Sequence, residues 1–199
     1  MLEPLPGWDA QSRLEPEVRK KIRLQASVNQ RLARESAVML LLFKKSTDVH
    51  LVFIKRSEYE GVHSGQIAFP GGRHEPEDAS FEQTALRETQ EEIGLKSTDI
   101  HIVGKLTSLY IPPSNFNVHP FVGFLNSEPT FYPDPTEVSA VFSVPVRDLM
   151  NPEIIQQKTI TLGDGSELLV PCYVIDNYTI WGATSMILNE FLEVFRSLK

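Results

Sequence analysis

The chain has 199 residues, 41% of them hydrophobic and 23% charged, and carries a net charge of −7. That length and composition support one domain with a sizeable buried core, and the acidic balance argues against a general nucleic-acid binder. A nucleotide substrate stays open, because bound cations invert a local field. Residues 1–14, with Pro4, Pro6 and Trp8, read as an irregular arm that has neither the basic start nor the apolar core of a secretion signal. From Glu15 to about Arg34 the chain is charged and compatible with a helix. Residues 38–44 and 49–55 are apolar, β-branched runs joined by Ser46-Thr47-Asp48, which predicts a hairpin. Residues 61–72 form a glycine-rich loop with a short strand around 67–69. A helix follows over about 80–93, capped by Asp78 or Ser80 and ended by Gly94 in a left-handed turn.

Strands are expected near 100–109 and 118–125, around a loop carrying Ser114-Asn115-Phe116-Asn117 between Pro112, Pro113 and Pro120. Pro133 and Pro135 precede a strand near 138–143 and a short helix around 146–150. Strands at about 154–162 and 168–175 flank Gly163-Asp164-Gly165, a hairpin turn. Cys172 is the only cysteine, so an intramolecular disulfide is excluded and a reducing compartment fits. It follows Pro171 in an apolar run and reads as a small buried hydrophobe, not a nucleophile. The last element, 182–197, puts Ile187, Phe191, Val194, Phe195 and Leu198 at helical spacing, a packing stripe. No apolar run approaches the ~20 residues of a membrane span, so the expected setting is the cytoplasm without a membrane partner. Mixed strands enclosing helices define an α/β or α+β class.

Chemistry concentrates in Phe69-Pro70-Gly71-Gly72 and in Arg87-Glu88-Thr89-Gln90-Glu91-Glu92-Ile93-Gly94-Leu95. On a helix Glu88 and Glu92 are one turn apart with Glu91 beside them, all within an arc of roughly 100°. Ala85, Leu86, Thr89 and Ile93 fall on an adjoining arc that can pack on a core. Like charges so placed repel by about 0.2–0.5 kcal/mol per i,i+4 pair. Alone, such a pattern is a solvated acidic face. Beside a glycine turn it is a way to hold Mg²⁺ or Mn²⁺, hard ions that take oxygen ligands and bridge to substrate phosphates. A carbonyl of Gly71 or Gly72 can add a ligand where a side chain would obstruct.

The segment Gly72-x5-Asp78-x8-Arg87-Glu88-Thr89-x-Glu91-Glu92-x-Gly94-Leu95 resembles the Nudix box, usually G-x5-E-x7-R-E-U-x-E-E-x-G-U with U a bulky aliphatic. It departs at Asp78, at one extra residue before Arg87, and at Thr89. The first two departures recur in the coenzyme A pyrophosphatase branch. Lys55-Arg56-Ser57 and His63-Ser64-Gly65-Gln66-Ile67-Ala68-Phe69-Pro70-Gly71-Gly72 resemble the signature that precedes the box in that branch. Glu137-Val138-Ser139-Ala140-Val141-Phe142 and Trp181-Gly182-Ala183-Thr184 are similar to it as well. Gly61 stands where that signature usually has arginine. The resemblance implies an α/β/α sandwich on a mixed sheet over residues 36–199, preceded by an N-terminal arm and helix at 1–35. It also implies a metal-dependent diphosphohydrolase of a small nucleotide substrate, and allows a homodimer.

Under that resemblance Glu88, Glu91, Glu92 and Gly72 are the expected metal ligands, and Glu91, Glu92 and Glu137 the candidate catalytic carboxylates. Ligand and base roles stay open among them. Arg56, with a planar fork suited to phosphate, is the expected diphosphate contact, and His63, Gly65 and Phe116 are further substrate contacts. Phe116, Tyr110 and His119 are candidates to stack an adenine. Arg87 is expected to tie down the helix through Asp78. Three functions remain: hydrolysis of coenzyme A or its thioesters, hydrolysis of another nucleoside diphosphate derivative such as ADP-ribose, NADH or a nucleotide sugar, and a non-catalytic binding module.

Overall fold

The computed structural model describes residues 4–25, 32–57, 65–162 and 165–198. Its organisation follows from the longest strand. β1 (Arg34–Lys45) buries Ala37, Met39, Leu41 and Phe43 on one face and Leu40 and Leu42 on the other. A strand apolar on both faces must be covered on both. Antiparallel β2 (Asp48–Arg56) joins β1 through the expected tight turn, where Ser46 takes φ 55°. On its other side β1 runs parallel to β7 (Phe116–Leu125), which makes the sheet mixed. β3 (Ile67–Ala68) and β8 (Val138–Pro145) pair with β2, β4 (Gly71–Arg73) with β1, and β5 (His101–Lys105) and β6 (Leu109–Ile111) with β7.

Two layers close the sheet. α3 (Phe81–Ile93) lays Ala85 and Ile93 on Ala37, Met39, Leu41, Val52 and Ile54. On the opposite face lies α5 (Gly182–Ser197), with Met186, Ile187, Leu188, Phe191 and Leu192 against Leu40, Leu51 and Phe53. A second antiparallel sheet of β9 (Ile155–Thr161), β10 (Glu167–Ile175) and β11 (Tyr178–Trp181) adds Tyr173 and Ile180 to that core. α4 (Val146–Leu149) follows β8 directly. The result is the expected α/β/α sandwich on a mixed sheet. Cys172 is buried in β10, and burial pushes its thiol pKa up.

The structure corrects several expectations. The arm is not irregular: it holds α1 (Gly7–Gln11), a 3₁₀ turn at Ser12–Leu14 and α2 (Glu17–Gln25), with Ala10 and Leu14 buried. Local propensity there is weak, and packing on α5 supplies the order. The helix expected up to Arg34 ends earlier, since β1 starts at Arg34; residues 26–31 lie outside the described residues. The strand expected near 100–109 is split into β5 and β6, and β7 absorbs Phe116 and Asn117 from the predicted loop. Pro120 explains the split. Its carbonyl accepts from Leu106 N–H, so its donor-less nitrogen faces the same side, where neither β5 nor β6 pairs. The expected C-terminal stripe is packed, except that Leu198 is 77% exposed. β9 and β10 form their hairpin, although Gly163 and Asp164 lie outside the described residues. No helix among the described residues is long and apolar enough to cross a membrane.

Candidate active site

α3 begins where Ser80 Oγ accepts from Gln83 N–H, and it ends at Gly94, whose φ of 74° is the left-handed terminus expected. Ser80 is thus the cap, and Asp78 is free to bond elsewhere. Asp78 accepts from Arg87 Nε and Nη2, each at 3.0 Å, from Thr84 Oγ1 at 2.9 Å and from Glu75 N–H at 3.0 Å. Hydrogen bonds from Arg87, above all, hold its carboxyl well below the usual carboxylate range. Arg87 also donates to the Arg73 carbonyl at 2.9 Å, to Glu88 at 3.0 Å and to Glu91 at 2.8 Å. One guanidinium therefore ties α3 to β4 and steers two of the three box glutamates.

The three glutamates differ in burial. Glu92 is fully buried, the Glu88 side chain is 13% exposed and that of Glu91 is 57% exposed. Glu92 accepts from Arg56 Nη1 at 3.1 Å and from Gly71 N–H at 2.8 Å. Those contacts do not offset desolvation, and its pKa is pushed up to about 7. Burial raises Glu88 as well. Each also feels the other acids nearby: Glu91 and Glu137 repel Glu88, and Glu88 and Glu137 repel Glu92.

Glycines permit this approach. A Cβ on Gly72 would lie 2.4 Å from the Glu88 carboxyl. A Cβ on Gly71, at φ 152°, would lie 2.3 Å from the Ala37 carbonyl oxygen. Glu137 arrives from a distant loop that docks on the end of α3. Tyr132 N–H and Asp134 N–H donate to the Ile93 and Glu92 carbonyls at 2.9 and 3.1 Å, and Ser57 N–H donates to the Glu137 carbonyl at 2.8 Å. The first two bonds satisfy carbonyls that a helix end leaves open. Glu137 itself is exposed.

Arg56 Nε is buried without a hydrogen-bond partner among the described residues. The residue stands at the junction of the acidic cluster and a cavity of about 570 Å³ on the α5 side of the sheet. Gly71, Gly72 and Arg73 border this cavity, and its walls are mostly apolar, among them Val38, Ile67, Phe116 and Trp181. Thr184, also a wall residue, donates to the Ile67 carbonyl at 3.1 Å.

Of the expected substrate contacts, Arg56 and Phe116 line the cavity, with Arg34 4.2 Å above the Phe116 ring. Gly65, at φ 66°, is not among its walls. His63 and Gly61 lie outside the described residues. Tyr110, His119 and Phe116 form no single stacking platform. Phe116 packs toward the α5 core, whereas His119 stacks on Phe81 of α3 at 3.9 Å. Tyr110 donates its hydroxyl to Asn115 at 2.9 Å. Sequence reasoning misses Gly71 as the donor to Glu92 and misses α2 as a cavity wall. The Pro70-Gly71-Gly72 turn is a visible signal for the first; α2 carries none.

The sequence matches the NUDIX domain family over residues 33–162. The chain belongs to the Nudix hydrolase family. A protein of Yersinia pestis called "Uncharacterized Nudix hydrolase NudL" is 30% identical over 160 residues, covering 80% of this chain and 79% of that one. Among solved structures, the Nudix hydrolase RenU of M. smegmatis matches with a TM-score of 0.59 at 13% identity, over 84% of this chain and 88% of that one. A MutT/nudix family protein of Enterococcus faecalis matches with a TM-score of 0.54 at 18% identity, over 90% and 74% of the two chains. At such identities the structural likeness is one of fold. The protein is a Nudix hydrolase of a nucleoside diphosphate derivative, in a family that generally uses divalent metal ions.

Proposed function

We propose that the chain hydrolyses the diphosphate of coenzyme A or its derivatives, giving 4′-phosphopantetheine species and adenosine 3′,5′-bisphosphate, with Mg²⁺ or Mn²⁺. One observation carries the reading. Arg56, the segment Gln66–Phe69 and the segment Trp181–Thr184, far apart in sequence, line one cavity that opens at Gly72 beside Glu88. That arrangement joins an apolar pocket to a phosphate site, as a substrate with a long non-nucleotide arm requires.

The donor set suits a hard divalent ion. Glu88 and Glu92 are desolvated carboxylates that gain from a nearby positive charge, and the missing side chain at Gly72 leaves the space beside Glu88. We assign Glu88, Glu91, Glu92 and the Gly72 carbonyl as its ligands. Among the described residues no group of three or more His, Cys, Asp or Glu side chains is already gathered as a metal site. When bound, the ion supplies charge neutralisation and a more acidic water.

The protein's groups do the rest. Arg56, fixed by Glu92, orients the diphosphate, and Phe116 contacts the substrate in the cavity; His63 and Gly65 are carried as substrate contacts on the sequence resemblance alone. One carboxylate among Glu91, Glu92 and Glu137, the last on its docked loop, removes the proton of the attacking water. A new P–O bond forms, the bond to the bridging oxygen breaks, and the leaving phosphate takes the electron pair. Arg87 and Asp78 position the acidic face. A homodimer and a cytoplasmic setting belong to the same reading.

The test is product analysis after incubation with coenzyme A, ADP-ribose or NADH, each with Mg²⁺ or Mn²⁺ and with chelator. Metal-dependent release of adenosine 3′,5′-bisphosphate, faster than turnover of the other two, is expected. Preference for ADP-ribose or NADH would move the assignment to another nucleoside diphosphate derivative.

A further inference from the structure

The region that matches the family spans residues 33–162, and the cavity is also lined from both sides of it: by Leu168, Trp181–Thr184 and Ile187 downstream, and by a wall upstream. It consists of Pro16, Val18, Arg19 and Ile22, at the start of and along α2. Val18 and Ile22 are one helical turn apart, so their side chains are neighbours. They are 40% and 38% exposed, large apolar groups that line an open space instead of closing it.

α2 is a fixed wall. Arg19, only 5% exposed, donates to the Tyr110 carbonyl and to Met186 Sδ and pairs with Glu15. Just upstream, Gln11 Nε2 donates to Glu190 at 2.7 Å and to the Thr107 carbonyl at 2.8 Å. Thr107 N–H donates to Glu190 at 3.1 Å. Asn189 Nδ2 donates to the Ala10 carbonyl at 2.8 Å, and its Oδ1 accepts from Tyr173 at 2.8 Å. Gln11 and Glu190 are both fully buried. A buried network of this kind holds its members to one geometry, because breaking any contact strands a polar group away from water.

The same cavity is bordered by Gly71, Gly72, Arg73 and Arg56, next to the acidic helix. A diphosphate engaged there extends its remaining groups along the apolar walls. We propose that α2 is a selectivity element: Val18 and Ile22 contact the apolar portion of the substrate attached to the diphosphate, and Arg19 positions them. This rests on hydrolysis of a diphosphate at the acidic helix, as proposed above.

The experiment uses the full chain and its Ile22→Trp and Val18→Ser variants, with thermal midpoints close to wild type as the check on folding. The substrates are coenzyme A and hexanoyl-coenzyme A, which differ only in an apolar extension, and ADP-ribose, which lacks such an arm. Ile22→Trp is expected to raise KM for hexanoyl-coenzyme A about tenfold with kcat within about twofold, leaving any ADP-ribose turnover unchanged. Val18→Ser is expected to raise the same KM about threefold through lost apolar contact. Unchanged KM values in both folded variants, or an equal loss of kcat on every substrate, would overturn the proposal. If wild type leaves both coenzyme A compounds intact, the substrate reading falls by itself, and anilinonaphthalene sulfonate fluorescence then reads the wall. An affinity lowered about tenfold by Ile22→Trp supports the wall, and an unchanged affinity overturns it.

Discussion

Two arginine–carboxylate pairs stand at the same helix of this protein, and their surroundings drive them in opposite directions. Asp78 meets Arg87 through two guanidinium nitrogens and adds Thr84 and the Glu75 N–H, and its pKa falls. Glu92 meets Arg56 through one nitrogen and adds the Gly71 N–H, and its pKa rises to about 7. Both carboxylates are buried. What differs first is the balance against desolvation, which is the largest influence on Glu92 and raises it, whereas at Asp78 the hydrogen bonds from Arg87 outweigh it; Glu92 also has fewer donors and faces Glu88 and Glu137. A carboxylate saturated with donors is a finished structural joint. One left short of positive charge, beside two other acids, is a place for a cation.

That contrast can be broken at either pair. Glu92→Gln and Glu88→Gln should each lower kcat by at least ~100-fold while the fold survives, because charge stabilisation of the transition state is lost. Near-normal steady-state turnover in both variants would remove the metal assignment. Asp78→Asn should act on stability instead, costing about 2 kcal/mol in denaturant unfolding, since it leaves Arg87 without its bidentate partner. A loss confined to kcat would mean that Asp78 belongs with the glutamates.

The two glycines sharpen the same distinction. Gly72→Ala meets first the end of the Glu88 side chain, which can swing away, so the expected loss is about tenfold in kcat with little change in thermal midpoint. Gly71→Ala meets the Ala37 carbonyl and adopts a φ that L residues avoid, and should reduce the yield of folded protein. Equal behaviour of the two variants in unfolding and turnover would refute the reading of the turn.

The smallest effects concern pH. Asp78 has a folded pKa below its ordinary 3.8, so its contribution is present above that value and is lost as pH falls below it. The stability gap between wild type and Asp78→Asn should therefore shrink in acid. Glu92 has a folded pKa above its ordinary 4.5, so the metal-free protein should lose stability as pH rises from there through about 7. Glu92→Gln in chelator should lack that decline; a parallel decline in the variant would assign it to another group.

The sequence by itself determined the parts governed by short-range period and turn chemistry. These are the β1–β2 hairpin, the acidic helix with Gly94 at its end, the apolar C-terminal helix, and the box that names the family, whereas the choice of Ser80 over Asp78 as the cap came from the structure. Spacing of three or four residues is enough to put Glu88, Glu91 and Glu92 on one side. Tertiary structure decided how unlike those three are. Only folding brings Gly71 N–H and Arg56 to Glu92, docks the loop of Glu137 on the end of α3, and splits β5 from β6 opposite Pro120. Only folding turns the N-terminal segment into a wall of the cavity through contacts from Ala10 and Gln11 to Asn189 and Glu190. Burial and long-range hydrogen bonds join residues far apart in the chain, and neither leaves a local pattern from which it can be read.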